Sequence, residues 1–175
     1  GLVGSEMCIR DRSQADRREV LTASDRPVLV QVPAMAAKSL TDAVVDPEHP
    51  VHVQRGRDAI RMTNGLVDVC IDTRDGLVNS IVDLVSDREL LLSGQRANRL
   101  VLHPDYPDCF DAWELQQQYR HSGDPVDRVT DLRVTESLLR AQVRVERHAG
   151  QSSFVQTITL AVSYTHLRAH ETSLH

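Results

Sequence analysis

The chain has 175 residues and a formal net charge of −5, with 41% hydrophobic and 3% aromatic residues. A length of this order suits one domain, or parts of two. The mildly acidic balance argues against a nucleic-acid partner, because binding to that backbone requires clustered Lys and Arg. No apolar run is long enough to span a bilayer as a helix. We therefore expect neither a nucleic acid nor a membrane as partner.

The two ends of the chain are related to each other at the nucleotide level. Residues 2–11, LVGSEMCIRD, can be encoded by a string whose reverse complement translates in frame as VSYTHLRAHE, which is residues 162–171. The string resembles a transposase-type sequencing adapter, and the two ends of a natural gene have no physical reason to be related in this way. We predict that residues 1–12 and 162–175 are adapter-derived, and that the rest is a piece of a longer protein.

Strand patterns follow one another along the remaining chain, without helical patterns between them. Val28–Val32 reads as a strand that Pro33 ends, because proline lacks an amide donor. Asn64-Gly65 lies between two strand-like runs, which favours a type I′ hairpin, and Arg74-Asp75-Gly76 indicates another turn. Further strand patterns cover residues 77–85, 126–134, 138–145 and 153–160. This spacing predicts an all-β fold, an antiparallel β-sandwich.

One stretch in the middle of the chain begins as a strand and continues as an acidic loop. We call it the central loop; it covers residues 98–119, NRLVLHPDYPDCFDAWELQQQY. Leu100 and Leu102 alternate with Arg99, Val101 and His103, and Pro104 then prevents further strand pairing. The loop carries the only Trp of the chain, Trp113, among four carboxylates: Asp105, Asp108, Asp111 and Glu114. A flat indole face beside hydrogen-bond acceptors is a chemistry that can recognise a sugar.

Each of these side chains also has a plainer interpretation. Asp111 and Glu114 could form an acid–base pair, but nothing separates a protonated from an ionised partner, so carboxylates that accept backbone amides are favoured. Trp113 could fill the end of the sandwich or form a wall of a sugar pocket, and both interpretations stay open. His103, Asp105 and Asp108 have metal-ligand chemistry but no fixed spacing, so we predict no metal site.

Several motifs together resemble a known family. VQVPAM, IDTRDGLVNSIVD, RELL, Asn98-Arg99-Leu100 and HPDYPDCFDAWE are similar to the region that follows the catalytic domain of glycoside hydrolase family 38 α-mannosidases. The most specific part is Asp105-x-Pro107 followed by Asp111-Ala112-Trp113-Glu114. Relatives usually have Trp-Asp-Ala-Trp-Asp there, so Phe110 and Glu114 are conservative departures.

The resemblance implies both an architecture and a parent enzyme. Residues 13–55 would be the end of a small β domain with its linker, and residues 56–161 the N-terminal part of a galactose-mutarotase-like sandwich. The family hydrolyses terminal α-mannosides by a retaining mechanism, with an aspartate nucleophile and a second carboxylic acid. In that family, a zinc ion held by His and Asp side chains binds the sugar hydroxyls. All of these groups would precede this chain, which we expect to be inactive alone and to contain no catalytic or zinc-binding residue.

Within the chain, Asp111 and Trp113 are the candidates for contact with the substrate. The implied partners are α-mannoside glycans and the catalytic domain of the same protein, and a bacterial cytoplasmic location is expected. One rival is a non-catalytic carbohydrate-binding or mutarotase-like sandwich, and another is a structural sandwich without a ligand.

Overall fold

The computed structural model describes residues 8–10, 17–23, 26–34, 36–104, 119, 121–162 and 168–174. This part of the chain is built almost entirely of antiparallel strands, and it contains a single-turn helix, α1 (Leu40–Ala43). The predicted all-β class is confirmed. Among the described residues, no helix has the length and apolar character needed to cross a bilayer.

The first large sheet has five strands that follow one another in space as they do along the chain. They are β5 (His52–Arg55), β6 (Ala59–Thr63), β7 (Val67–Asp72), β8 (Val78–Asp83) and β9 (Arg88–Glu89). Each is antiparallel to the next, from His52 opposite Thr63 to Asp83 opposite Arg88. Val67, Val69 and Ile71 all lie on the buried face, as the period of two along a strand requires.

The β6–β7 hairpin forms where Asn64-Gly65 predicts it, but the turn type is different. A type I′ turn needs positive φ at both central residues. Gly65 has φ 75°, whereas Asn64 does not enter the left-handed region. The Asn64 amide instead donates to the Val67 carbonyl at 3.3 Å, so that Gly65 and Leu66 are the central residues. A positive φ at the first of these is the pattern of a type II′ turn. The prediction of type I′ was wrong because the strand register, with Thr63 opposite Asp68, places Gly65 and Leu66 at the centre of the turn instead of Asn64 and Gly65.

The second large sheet has four strands, also in chain order. They are β12 (Val129–Ser137), β13 (Arg140–Ala149), β14 (Ser152–Ala161) and β15 (Arg168–Leu174). Burial along β13 and β14 alternates residue by residue. The three predicted runs are confirmed as strands, with β12 and β13 both starting later than the patterns indicate.

One hydrophobic core lies between these two sheets and makes them a sandwich. The five-stranded sheet contributes residues from β6, β7 and β8: Ile60, Met62, Val67, Val69, Ile71 and Val78. The four-stranded sheet contributes residues from β13 and β14: Ala141, Val143, Val145, Ile158 and Leu160. Burial of these side chains is the main source of stability, at roughly 25 cal/mol per Å² of apolar surface removed from water. The predicted antiparallel sandwich is confirmed.

The N-terminal part forms smaller structures. Two strand pairs are present: β1 (Cys8–Arg10) with β4 (Ala37–Ser39), and β2 (Arg17–Ala23) with β3 (Arg26–Val32). Val30 and Val32 form a second small core, whereas Leu29 belongs to the main one. Because β5 pairs with β6, the five-stranded sheet begins a few residues before the predicted boundary at residue 56.

Strand β15 lies in the segment predicted to be adapter-derived. Its backbone pairs with β14 from Ser153 opposite Leu174 to Thr159 opposite Arg168. An edge strand presents a row of unpaired amides and carbonyls that can accept a strand of unrelated sequence. The pairing therefore does not test where this segment comes from, and its origin stays a prediction.

Candidate functional site

The ends of the central loop meet at one end of the sandwich. The chain leaves through β10 (Val101–Leu102) and returns through β11 (Asp124–Pro125), and these two short strands pair in antiparallel register. The Val126 amide also donates to the Leu100 carbonyl at 2.9 Å. We call residues 98–104 the departing limb and residues 121–127 the returning limb. The loop between them is therefore held closed at its base.

His103 and Tyr119 add a second contact near this base. The Nδ1 of His103 donates to the Tyr119 carbonyl at 2.6 Å, and the two rings meet edge to face with centroids 5.4 Å apart. Gly123 packs directly beside them, since a Cβ at this position would lie 2.5 Å from both Val101 and His103. His103 is thus engaged in holding the loop rather than free for other chemistry at Nδ1.

The residues predicted to contact a sugar lie further along the central loop. Asp111 and Trp113, together with Asp105, Asp108 and Glu114, fall outside the described residues. Their role stays a prediction. The described residues fix the base from which they extend.

A buried cationic network lies directly beneath this base, and it is centred on Arg147. This guanidinium is fully buried on β13. Its Nε donates to Gln156 Oε1 at 2.8 Å, and Nη2 donates to the Asp75 carbonyl at 2.6 Å. Nη1 lies 3.3 Å from the carbonyls of Val126 and Asp127. Burial lowers the pKa of Arg147, and the nearby charges of Asp127 and Asp75 oppose that shift.

Gln156 extends the network to the departing limb. Its Nε2 donates to the carbonyl of Asn98 at 3.2 Å and approaches the Asn98 Oδ1 at 3.4 Å. Asn98 has φ 64°, an uncommon backbone conformation for a residue other than glycine. On the surface, Arg99 Nε lies 3.6 Å from Asp127 Oδ1 and joins the two limbs by a solvent-screened ion pair.

An acidic pair stands next to the network, with Asp72 at the end of β7 and Asp75 in the turn between β7 and β8. Arg96 pairs with both Asp72 and Asp75. Burial acts to raise the pKa of Asp72, but the amide and charge of Arg74 and the charge of Arg96 outweigh it, so that the pKa is lowered. Asp72 is thus an ionised partner of arginine, and it lacks the raised pKa of a general acid.

Sequence reasoning missed Arg147, although the signal was present. Ala141, Val143 and Val145 share one face of β13, and the next residue of that phase is Arg147. A charged residue in a core-facing position is unusual and requires buried hydrogen-bond partners. The partners themselves could not be predicted, because Asp75 lies 72 positions away.

Comparison with known proteins adds the family context. The model of the glycosyl hydrolases family 38 C-terminal domain matches residues 62–172. The chain is similar to alpha-mannosidase 2C1 of Mus musculus, with 31% identity over 101 residues that cover 57% of this chain and 9% of the mouse protein. It is also similar to alpha-mannosidase 2C1 of Homo sapiens, with 32% identity over 81 residues that cover 46% of this chain and 8% of the human protein. The matched part is thus less than a tenth of either relative.

Proposed function

The chain belongs to the glycosyl hydrolase family 38 C-terminal domains, and from this premise we propose that it is a non-catalytic part of an α-mannosidase. The parent protein would hydrolyse terminal α-mannosides by a retaining mechanism. This chain would support the catalytic domain and present the central loop to the sugar pocket. The family match over residues 62–172 carries the proposal.

The geometry of the loop base supports the second part of this proposal. A sugar-binding wall must be held in a fixed orientation, because a loose side chain loses the entropy of ordering on binding. The central loop starts and ends on paired strands above a buried network. Asp111 and Trp113 are proposed to line the pocket, with the indole stacked on a sugar face and the carboxylate accepting hydroxyl hydrogen bonds.

The zinc ion of such a parent would be held by segments outside this chain. Among the described residues, no group of three or more His, Cys, Asp or Glu side chains is placed to hold a metal ion. We therefore assign no step of the chemistry to a metal bound here. When present, the ion would bind the sugar hydroxyls.

The cellular location of the parent protein belongs to the same proposal, and we propose a bacterial cytoplasmic enzyme.

Recovery of the uninterrupted parent gene tests the proposal directly. We expect a catalytic domain with His and Asp zinc ligands encoded before residue 13. A stop codon or an unrelated domain there would favour the rival, a stand-alone carbohydrate-binding or mutarotase-like sandwich. The isolated chain should show no turnover of 4-nitrophenyl α-mannoside, and measurable turnover would contradict a supporting role.

The role of the indole is tested by Trp113→Ala in the parent enzyme. A lost stacking contact of about 1 kcal/mol should lower kcat/KM roughly fivefold. Leu92→Ala is the matched control, because Leu92 is 79% exposed and lies in another loop of the chain. Equal kcat/KM in the parent and the Trp113→Ala variant would exclude the pocket wall and leave the indole as a plug of the sandwich.

A further inference from the structure

Arg147 occupies a position where burying a charged side chain is energetically unfavourable. It stands on the core-facing side of β13 in phase with Val143 and Val145. Burying a guanidinium costs several kcal/mol of desolvation unless strong partners compensate. The described acceptors of Arg147 are all neutral oxygens, three carbonyls and the Gln156 side-chain amide. Replacing a buried charge with an apolar side chain of similar volume is often neutral or stabilising, so stability alone does not explain the arginine.

The positions of its hydrogen-bond partners explain why an arginine occurs at this site. Arg147 donates to Asp75 in the turn between β7 and β8, which belongs to the opposite sheet. It donates to the carbonyls of Val126 and Asp127, which end the returning limb. A planar guanidinium presents five donors in a fixed geometry, so these partners are oriented relative to one another.

The departing limb is reached through one more residue. Gln156 accepts from Arg147 and donates to Asn98, where the limb begins. A left-handed conformation at an asparagine persists only if the surrounding contacts hold it. The amide of Gln156 supplies such a contact at both the carbonyl and Oδ1 of Asn98. Arg147 is therefore linked to both ends of the central loop, directly to the returning limb and through Gln156 to the departing limb.

We infer that Arg147 is a positioning residue, which fixes both limbs of the central loop against the β7–β8 turn, the returning limb directly and the departing limb through Gln156. The inference goes beyond the proposed function, because it holds whatever the loop binds. It also differs from a general stabilising role, since it assigns the effect of Arg147 to the two limbs and not to the sandwich.

Hydrogen exchange of the whole chain, resolved by mass spectrometry, tests this inference. Arg147→Met keeps the length and apolar stem of the side chain and removes its donors. We expect amide exchange in residues 98–104 and 121–127 to accelerate at least about tenfold, because local opening of these limbs becomes easier. Exchange in residues 60–71 and 152–160, which form the two faces of the sandwich, should stay within about threefold.

A matched control and a conservative variant complete the design. Arg144→Met removes an arginine of the same strand whose side chain is 39% exposed and pairs with Glu146, and it should leave both limbs unchanged. Arg147→Lys keeps the charge but not the planar fork, and it should give an intermediate acceleration confined to the limbs. Unchanged limb exchange in Arg147→Met, or an equal rise throughout both sheets, would overturn the inference.

If Arg147→Met does not fold, Gln156→Met decides the question. This variant removes the relay to Asn98 and the acceptor of Arg147 Nε, but it keeps the hydrogen bonds from Arg147 to Val126 and Asp127. Residues 98–104 should therefore exchange faster while residues 121–127 keep their protection. Unchanged exchange in residues 98–104 would then refute the relay and with it the positioning role. Because none of these measurements requires a substrate, their outcome is independent of the α-mannosidase proposal.

Discussion

At the scale of single residues, the sandwich depends on a few buried polar side chains that join separate segments. Asn64 is fully buried, and its Nδ2 donates to the Ala161 carbonyl of the opposite sheet at 2.8 Å. Its Oδ1 accepts from the amides of Leu66 and Val67 at 3.1 and 2.9 Å. One side chain thus closes the β6–β7 hairpin and ties the two sheets together at that edge.

Asn64→Ala should therefore lower the free energy of unfolding by about 2–3 kcal/mol, because it leaves buried amide and carbonyl groups without partners. Chemical denaturation measures the effect. Asn79→Ala is the matched control: Asn79 is exposed on β8, and its replacement should change stability by no more than about 0.5 kcal/mol. Equal effects of the two substitutions would show that the Asn64 contacts contribute nothing specific.

Acid sensitivity also arises from individual residues. Hydrogen bonds from the Ser80 hydroxyl and from the amides of Leu91 and Ile81 lower the pKa of Glu89 in the folded state, and the Ser86 hydroxyl lowers the pKa of Asp83. A lowered folded pKa means that the unfolded chain binds more protons in this range. The stabilisation is thus complete above about pH 4, the ordinary range of these carboxyls, and is lost as the pH falls through the folded values.

We expect the denaturation midpoint to decrease below about pH 4. Glu89→Gln should flatten part of that decrease, because the amide does not titrate. Denaturation curves recorded between neutral pH and pH 3 measure both effects. A stability that rises on acidification would contradict the assignment.

At the scale of elements, the β7–β8 turn packs closely against strand β13 of the four-stranded sheet. Gly76 has φ 63°, and a Cβ there would lie 2.6 Å from Val145 Cγ1 and 3.1 Å from Arg147 Nη2. Both neighbours are fully buried and cannot move aside. The residue at this turn must therefore be glycine for two reasons, its backbone conformation and the absence of space.

Gly76→Ala and Gly150→Ala separate these two reasons. Gly150 has φ 59° and nothing within 4 Å of the added Cβ, so its replacement should cost about 1 kcal/mol from backbone strain alone. Gly76→Ala should cost a further 1–3 kcal/mol, roughly, from overpacking against β13. Thermal or chemical unfolding of both variants measures the difference. Equal losses would mean that the turn can move away from the four-stranded sheet.

At the scale of the whole molecule, the sandwich should behave as one cooperative unit because both large sheets share a single core. Leu160→Ala removes a fully buried side chain from β14 and should cost about 3 kcal/mol. Amide exchange should accelerate in β6 and β7 as well as in β13. Leu138→Ala is the control, since Leu138 is 66% exposed in the turn after β12. Faster exchange confined to the four-stranded sheet would show that the sheets unfold independently.

Much of this fold was predictable because strand signals are local. The alternation of Val67, Val69 and Ile71 and the Asn64-Gly65 pair identify strands and a hairpin within a few residues. The type of that hairpin was not predictable. It depends on the register of β6 and β7, in which Thr63 lies opposite Asp68.

The all-β class could be predicted from the chain, because the period of two is a pattern among neighbouring residues. The resemblance to the family likewise rests on short motifs such as Asp-Ala-Trp. Which segments meet depends instead on tertiary packing. The convergence of Asp75, Val126 and Gln156 on Arg147, and of Asn98 on Gln156, follows from how two sheets stack. A buried charge must find its acceptors wherever packing places them, and the sum of such non-local contacts cannot be read from any one stretch of chain.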